Sequence, residues 1–144
     1  MKFYFSMLAI AITALSCTPA SNYKTERDEV MKFHDTVMED HGILVGNEMK
    51  IDTLLKGLPA LKKKFPQLDT LQEKTLLTTT AERLKKAEDL MNNWMHQFEP
   101  DVTGKSDEEA VAYFKKERVK IAAIDSLYKV EIKSSTAYLI RLGK

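Results

Sequence analysis

Two Met-x-x-His units, seven residues apart, lie in the stretch MKFHDTVMEDH. Met31 precedes His34 in the first unit, and Met38 precedes His41 in the second. Imidazole and thioether groups are soft ligands that suit Cu(I), and the same two groups can ligate haem iron axially within a helical bundle. The stretch therefore raises the hypothesis of a metal or haem site.

The stretch LMNNWMHQF adds three residues of the same chemistry, Met91, Met95 and His96. Residues four apart share one face of a helix, so His34 with Met38, and Met91 with Met95, could each reach a single ion. The candidate metal ligands are then His34, Met38, His41, Met91, Met95 and His96.

Packing in a helical bundle is the alternative interpretation of these residues, and the sequence favours it. Methionine fills irregular gaps in apolar cores, and histidines beside a core can hydrogen-bond to carboxylates such as Glu48 or Glu88. His34 and His41 lie two helical turns apart, roughly 10 Å, so they cannot share one ion without distortion. Covalent haem is excluded because the chain has no CxxCH motif.

The elements that must position these residues are helices. Apolar residues recur every seven positions in two segments, a repeat that keeps one stripe of a helix facing its partners, and a third segment carries an apolar line of its own. The stripes are Val30, Val37, Leu44, Ile51 and Leu58; then Leu77, Leu84, Met91 and Phe98; then a line from Phe114 through Ile121, Tyr128 and Leu139 to Leu142. We therefore predict an all-α fold, an antiparallel up-down-up, coiled-coil-like bundle of three long helices at about 25–57, 69–98 and 106–142.

Turn and capping residues support these boundaries. Pro66 and Pro100 interrupt the pattern, and GLP at 57–59 predicts that the first helix ends or bends there, leaving ALKKKF as an extra turn or two. Asp69 with Gln72, and Ser106 with Glu109, have the spacing of capping boxes.

The two connections also predict which residues lie level with one another. A hairpin centred near residues 64–66 places His34 beside His96. A second connection centred near residue 102 brings Glu108 to Lys116 of the last helix to the same height. The His and Met candidates would then share one end of the bundle, nearest the N-terminus.

The first sixteen residues read as a secretory signal peptide rather than as part of the fold. Lys2 is a short basic region, an apolar stretch follows, and ALSC ends at Cys17, the only cysteine of the chain. ALSC resembles a bacterial lipobox, which directs lipid attachment to the cysteine and cleavage before it. We predict a signal peptide at 1–16, a lipidated Cys17 with a tether at 17–24, and the bundle at 25–144.

Composition argues against several function classes. Removal of Lys2 with the signal peptide leaves 22 − 1 = 21 basic residues against 21 acidic ones, a balance that argues against nucleic-acid binding. The sequence contains no phosphate-binding Gly-rich loop, no G-x-S-x-G and no H-E-x-x-H. We therefore predict a protein that is not an enzyme, with no catalytic residues and no cofactor, copper or haem being the alternative.

The stretches EVMKFHDTVM and LMNNWMHQF, together with the lipobox, resemble small helical lipoproteins of Bacteroidetes-type bacteria that are labelled viral A-type inclusion protein. The resemblance implies an envelope location and an all-helical fold, and it brings no catalytic residues. Thr18 follows the cysteine, with no aspartate there, which by analogy indicates the periplasmic face of the outer membrane.

The resulting functional prediction is a lipid-anchored envelope bundle that acts as an interaction or structural module. Its predicted partners are the membrane, through the anchor, and an envelope protein. The alternative is a periplasmic Cu(I)- or haem-binding bundle. A third hypothesis is a pH-responsive contact between a histidine and Glu48 or Glu88.

Overall fold

The computed structural model describes residues 22–143, and this part of the chain is all-helical. Its four helices are α1 (Tyr23–Lys56), α2 (Leu58–Lys64), α3 (Thr70–Gln97) and α4 (Asp107–Arg141). No strand occurs among the described residues, and the predicted all-α class is confirmed. The predicted signal peptide and Cys17 lie outside the described residues.

The first helix begins earlier than the sequence predicted. Tyr23 and Lys24, assigned above to the tether, form the first turn of α1. Asn22 explains the difference, because its side-chain oxygen accepts a hydrogen bond from the backbone N–H of Lys24 at 2.7 Å. Such a cap satisfies an N–H group that has no partner within the helix.

A break at Gly57 makes the number of helices four rather than three. Pro59 has no N–H and its ring would clash with the carbonyl four residues earlier, so α1 cannot continue through it. The chain instead starts the seven-residue α2, with proline in its first turn, where a missing N–H costs little. The stretch read as an extra turn or two is therefore a separate short helix.

Both predicted caps are present at the starts of the long helices. The Asp69 carboxylate accepts hydrogen bonds from the backbone N–H groups of Leu71 and Gln72. Ser106 and Glu109 form a reciprocal capping box, in which each side chain accepts from the other residue's backbone N–H. These bonds fix where α3 and α4 begin.

The seven-residue stripes form the core. The residues with no exposed surface include Val30, Val37, Leu44 and Ile51 from α1, Leu77, Leu84 and Met91 from α3, and Phe114, Ile121 and Tyr128 from α4. All of them belong to one apolar cluster. Burying each such side chain contributes roughly 1.5–3 kcal/mol, so the stripes dominate the favourable side of folding.

Contacts between side chains give the directions of the long helices. α1 and α4 run the same way, since His41 contacts Tyr128 and Asn47 contacts Ser135. α3 runs the opposite way, because Trp94, near its end, contacts His34, near the start of α1.

Candidate functional site

The predicted height of α4 relative to α3 is wrong by two helical turns. A connection centred near residue 102 would put Ala110 level with Trp94, but the residue there is Glu117, which accepts a hydrogen bond from the indole N–H at 3.0 Å. The segment after α3 does not reverse at once. Phe98 stacks on Tyr113, and the Glu99 backbone N–H donates to the Tyr113 hydroxyl at 2.8 Å.

Aromatic packing thereby fills the end of the bundle where the site was expected. The Trp94 and Phe98 rings stack with centroids 4.7 Å apart. Tyr113 and Phe114 meet edge to face at 5.2 Å. Such pairs contribute roughly 0.5–1.5 kcal/mol beyond their area, and they order the connection between α3 and α4.

His34 lies at the edge of this aromatic cluster, and its side chain is partly exposed. Its Nδ1 atom is 2.9 Å from the carboxylate of Asp35, its neighbour in sequence. Its ring centroid is 6.2 Å from that of Trp94. The hairpin prediction had His96 at this position, two residues further along α3.

His41 contacts a residue that the sequence reasoning missed. Its Nδ1 atom shares a hydrogen bond of 3.3 Å with the hydroxyl of Tyr128, a side chain of α4 with no exposed surface. Burial, and secondarily the nearby Glu88 carboxylate, raises the pKa of Tyr128 to about 12. Tyr128 was identified as a core residue, but nothing in the sequence showed that its hydroxyl lies beside His41.

The remaining candidate ligands lie in different environments. Met91 is fully buried in the core, whereas Met38 and Met95 are 39% and 37% exposed. His96 is exposed. It follows Trp94 by two residues, which places it roughly 200° around the helix from that buried side chain.

The six candidates therefore differ in burial, from the fully buried Met91 to the exposed His96. Among residues 22–143, no group of three or more His, Cys, Asp or Glu side chains is arranged to hold a metal ion. Methionine ligands are outside that description, so the His34–Met38 and Met91–Met95 pairs stay predictions.

Buried carboxylates are the feature of the core that sequence reasoning missed most clearly. Five of them are at most 6% exposed: Glu26, Glu73, Glu117, Asp125 and Glu131. A signal was present, because Glu117 lies three residues after Phe114 and four before Ile121, a position that belongs to the buried stripe.

Each buried carboxylate meets a cation that reaches in from the surface. Lys120 Nζ is 2.6 Å from Glu117, Lys129 Nζ is 2.7 Å from Asp125, and Arg83 Nε is 3.0 Å from Glu131. Arg118 Nη1 is 3.2 Å from Glu26, and Arg141 Nη2 is 3.6 Å from Glu73, which also accepts from the Tyr138 hydroxyl. Paired in this way, a carboxylate can lie inside a bundle at a tolerable desolvation cost.

A second group of acidic residues lies between α1 and α3. Glu48 is partly buried there, and its pKa is raised, first by burial and then by the carboxylates of Glu88, Asp52 and Asp89. Lys85 opposes the shift without cancelling it. Glu48, one of the two glutamates in the pH hypothesis, therefore has carboxylate neighbours in the structure. The hydrogen bond of His41 is to Tyr128.

Within the described part of the chain, none of the helices combines the length and apolar character needed to cross a membrane. In comparisons with known proteins, no family model, no curated protein and no solved structure matches the chain. What can be said of function therefore rests on the residues and geometry of the chain itself.

Proposed function

We propose that the chain is a lipid-anchored cell-envelope protein whose bundle of three long helices and one short helix is a non-enzymatic interaction or structural module. The observation that carries the proposal is the position of Cys17. It is the only cysteine of the chain, it directly follows an apolar stretch ending in ALS, and α1 begins six residues later at Tyr23. A lipid on that cysteine would hold the N-terminal end of α1 near the membrane, at the periplasmic face of the outer membrane in our proposal.

The exposed faces of the helices support the interaction role. Several large apolar side chains are more than half exposed: Ile43, Met49, Leu71, Val119, Val130 and Ile140. These side chains give three of the helices exposed apolar groups that a partner could cover. An envelope protein partner is therefore part of the proposal.

The alternative function is binding of Cu(I) or haem near the N-terminal end of the bundle. His34 and Met38 favour it, because they lie one turn apart on α1 and both retain solvent access. A site of this kind would use one or two of the predicted pairs and not all six residues.

The experiment that tests the anchor is replacement of the thiol. Cys17→Ser removes the only group that can carry the lipid, so we expect the variant to leave the membrane fraction, while the matched control Thr18→Ala stays in it. Intact-mass measurement should show that the mature chain begins at Cys17 and carries a diacylglycerol-containing mass. An unmodified N-terminus at Met1, or membrane retention of Cys17→Ser, would refute the lipoprotein proposal.

A further inference from the structure

The two ends of the bundle differ in surface charge. At one end, a single cavity is lined by side chains from the ends of α1 and α4 and from α2, so these three segments meet there. The ion pair of Arg141 with Glu73 brings the start of α3 to the same end. We call this end of the bundle, residues 52–74 and 137–143, the lysine end.

Basic residues dominate the surface of the lysine end. Its exposed acidic residues are two, Asp52 and Asp69, against six exposed basic residues: Lys56, Lys62, Lys63, Lys64, Lys74 and Arg141. The arginine is balanced by the buried Glu73. None of the ion pairs formed within residues 22–143 involves the five lysines. The lysine end therefore has a net positive surface.

The opposite end of the bundle, residues 22–29 and 97–112, has the reverse balance. Two exposed basic residues, Lys24 and Lys105, lie there with six exposed acidic residues: Asp28, Glu99, Asp101, Asp107, Glu108 and Glu109. The 34 residues of α1 separate the two ends by roughly 50 Å. Charges interact over about 8 Å at physiological salt, so the acidic end does not neutralise the lysine end.

Helix dipoles account for only part of this charge pattern. Lys56 and Arg141 lie in the last turns of α1 and α4, where the helix dipole favours a cation. Lys74 lies in the second turn of α3, near the end of the dipole that disfavours a cation. The three lysines of α2 share one turn of a seven-residue helix, where their like charges repel one another. Helix stability therefore does not explain these four lysines.

Apolar side chains are exposed among the lysines. Leu71 is 75% exposed, more than any other large apolar side chain in the described part of the chain, and it lies three residues before Lys74 on the same face of α3. Ile140, near the end of α4, is 67% exposed. Lys62 Nζ donates to the carbonyl of Leu68 at 2.7 Å, which holds α2 against the turn that leads to α3. The lysine end thus presents positive charge and apolar surface together.

This combination selects among anionic occupants. Lysine ammonium groups are point charges, whereas the arginine guanidinium binds a carboxylate or phosphate in a fixed bidentate geometry, so five lysines suit a diffuse array of phosphates. A soluble polyanion would bind the lysines and leave Leu71 and Ile140 in water. A phospholipid surface offers phosphates to the lysines and an apolar interior to these two side chains.

We propose that the lysine end binds the surface of an anionic phospholipid membrane, with the lysines next to lipid phosphates and Leu71 entering the headgroup region. The contact does not require a lipid on Cys17, so it goes beyond the anchor given under Proposed function. With both contacts present, the bundle would lie along the membrane, held at its two ends. The six residues from Cys17 to Tyr23 span up to roughly 20 Å, which lets the acidic end stay beyond the range of the lipid charges.

The test places a tryptophan at the lysine end by Leu71→Trp and uses vesicles with brominated acyl chains, which quench tryptophan fluorescence only on contact with the bilayer. One set of vesicles is phosphatidylcholine alone, and the other is equimolar phosphatidylcholine and phosphatidylglycerol. The chain also carries Cys17→Ser, so the outcome does not depend on the anchor. The same chain with Leu71 intact gives the background from Trp94, which is 5% exposed.

The lysine-end variant is Lys63→Glu with Lys74→Glu, two exposed side chains. Lys62 and Lys64 stay unchanged because both contact the segment that follows α2. Circular dichroism checks the fold of each variant. The neutral pair Lys63→Gln with Lys74→Gln should give an intermediate loss of quenching, and it tests the proposal even if the glutamate pair does not fold.

The matched control is Lys86→Glu with Lys116→Glu, the same change of charge at exposed lysines away from the lysine end. We expect the anionic vesicles to quench the introduced tryptophan and the lysine-end variant to need at least about tenfold more lipid for the same quenching. The control should behave as the parent chain does. Salt at about 1 M should remove most of the quenching, because it screens charges beyond about 3 Å.

The proposal would be overturned by an absence of quenching with anionic vesicles, by equal quenching with neutral ones, or by an equal loss in the control. Lysine-dependent binding of polyglutamate without quenching by vesicles would also overturn it, and would indicate an acidic protein partner instead. Because the tested chain has no thiol at position 17, failure of the Cys17→Ser fractionation would leave this result standing, and the reverse also holds.

Discussion

The contacts that join α1 to α4 differ in kind from those that join α3 to α4. Over the middle of the bundle, neutral groups join α1 to α4: the Asn47 side-chain amide donates to Ser135 Oγ at 2.9 Å and to Thr136 Oγ1 at 2.8 Å. Near the start of α1, the buried Glu26 carboxylate also meets Arg118 of α4, at 3.2 Å. Between α3 and α4, the polar contacts involve carboxylates, since Glu131 accepts from Arg83 and Glu117 from Trp94.

This difference accompanies a difference in how closely the helices pack. A neutral amide and two hydroxyls satisfy one another at short range, so α1 and α4 pack closely, and theirs is the most extensive helix contact in the described fold. A buried carboxylate needs a cation, and the long side chains of Arg83 and Lys120 must keep their charged ends near water. The α3–α4 side leaves an open groove, lined by Trp94, Lys120 and Ile124 among others.

The largest expected effect comes from Tyr128, because its ring lies in the core against α1. Tyr128→Ala should lower the free energy of unfolding by about 3–5 kcal/mol, since it removes a fully buried aromatic side chain and leaves a cavity. Urea denaturation followed by circular dichroism measures this. Tyr128→Phe, which keeps the ring and loses only the hydrogen bond to His41, should cost about 1 kcal/mol. Equal losses in the two variants would show that the ring does not pack as described.

A smaller effect distinguishes the two interfaces by their response to salt. Asn47→Ala should cost about 1–3 kcal/mol at any ionic strength, because two hydroxyls inside the α1–α4 contact lose their neutral partner. Arg83→Ala should cost about 1–3 kcal/mol, since it leaves the Glu131 carboxylate, 6% exposed, without its cation, and the loss should shrink as salt is raised because the Arg83 side chain is 45% exposed.

Asn93→Ala is the control for this pair, an exposed asparagine on the rim of the groove, and it should change stability by less than about 0.5 kcal/mol. The contrast between the two interfaces would fail if the Asn47→Ala loss shrank with salt as much as the Arg83→Ala loss.

The smallest effect concerns Glu48, and its size depends on pH. Burial and the carboxylates of Glu88, Asp52 and Asp89 raise the pKa of Glu48 above its ordinary value of 4.5, so the folded state disfavours the ionised form. Above the raised pKa this penalty is present in full, and below about 4.5 both states are protonated and it vanishes. Glu48→Gln should therefore stabilise the protein near neutral pH and have little effect at acidic pH.

Thermal melting at several pH values tests the Glu48 prediction. Glu82→Gln, an exposed glutamate on α3, provides the matched control and should show no such pH-dependent gain. A Glu48→Gln gain that persists below the ordinary carboxyl pKa would show that packing, and not ionisation, is its cause.

The contrast between core and site shows how much the sequence could predict. The stripes from Val30 to Ile51 and from Leu77 to Met91 could be found because a seven-residue apolar period has one stable solution, burial along a helix. The caps at Asp69 and Ser106 were equally local and equally predictable. Neither pattern contains information about which turn of one helix lies beside which turn of another.

The height of α4 relative to α3 is where the predicted helix register was wrong. The prediction assumed that the chain reverses at the middle of the connection. Phe98 stacks on Tyr113 instead, so the α4 residue level with a given residue of α3 lies two turns later in the sequence than predicted. Glu117, and not Ala110, then lies beside Trp94. The buried carboxylates were overlooked because charge suggests exposure, and only a cation from the next turn or the next helix makes their burial tolerable.

The sequence by itself determined the helices, their buried stripes and their caps, since these depend on interactions within a few turns of one chain segment. The tertiary structure alone decided that His41 meets Tyr128, that His34 lies beside Trp94, and that Met91 is buried while His96 is exposed. It also decided that α3 and α4 leave an open groove between them. These features depend on the relative height and rotation of separate helices, which loop packing and long-range side-chain contacts set and local patterns do not encode.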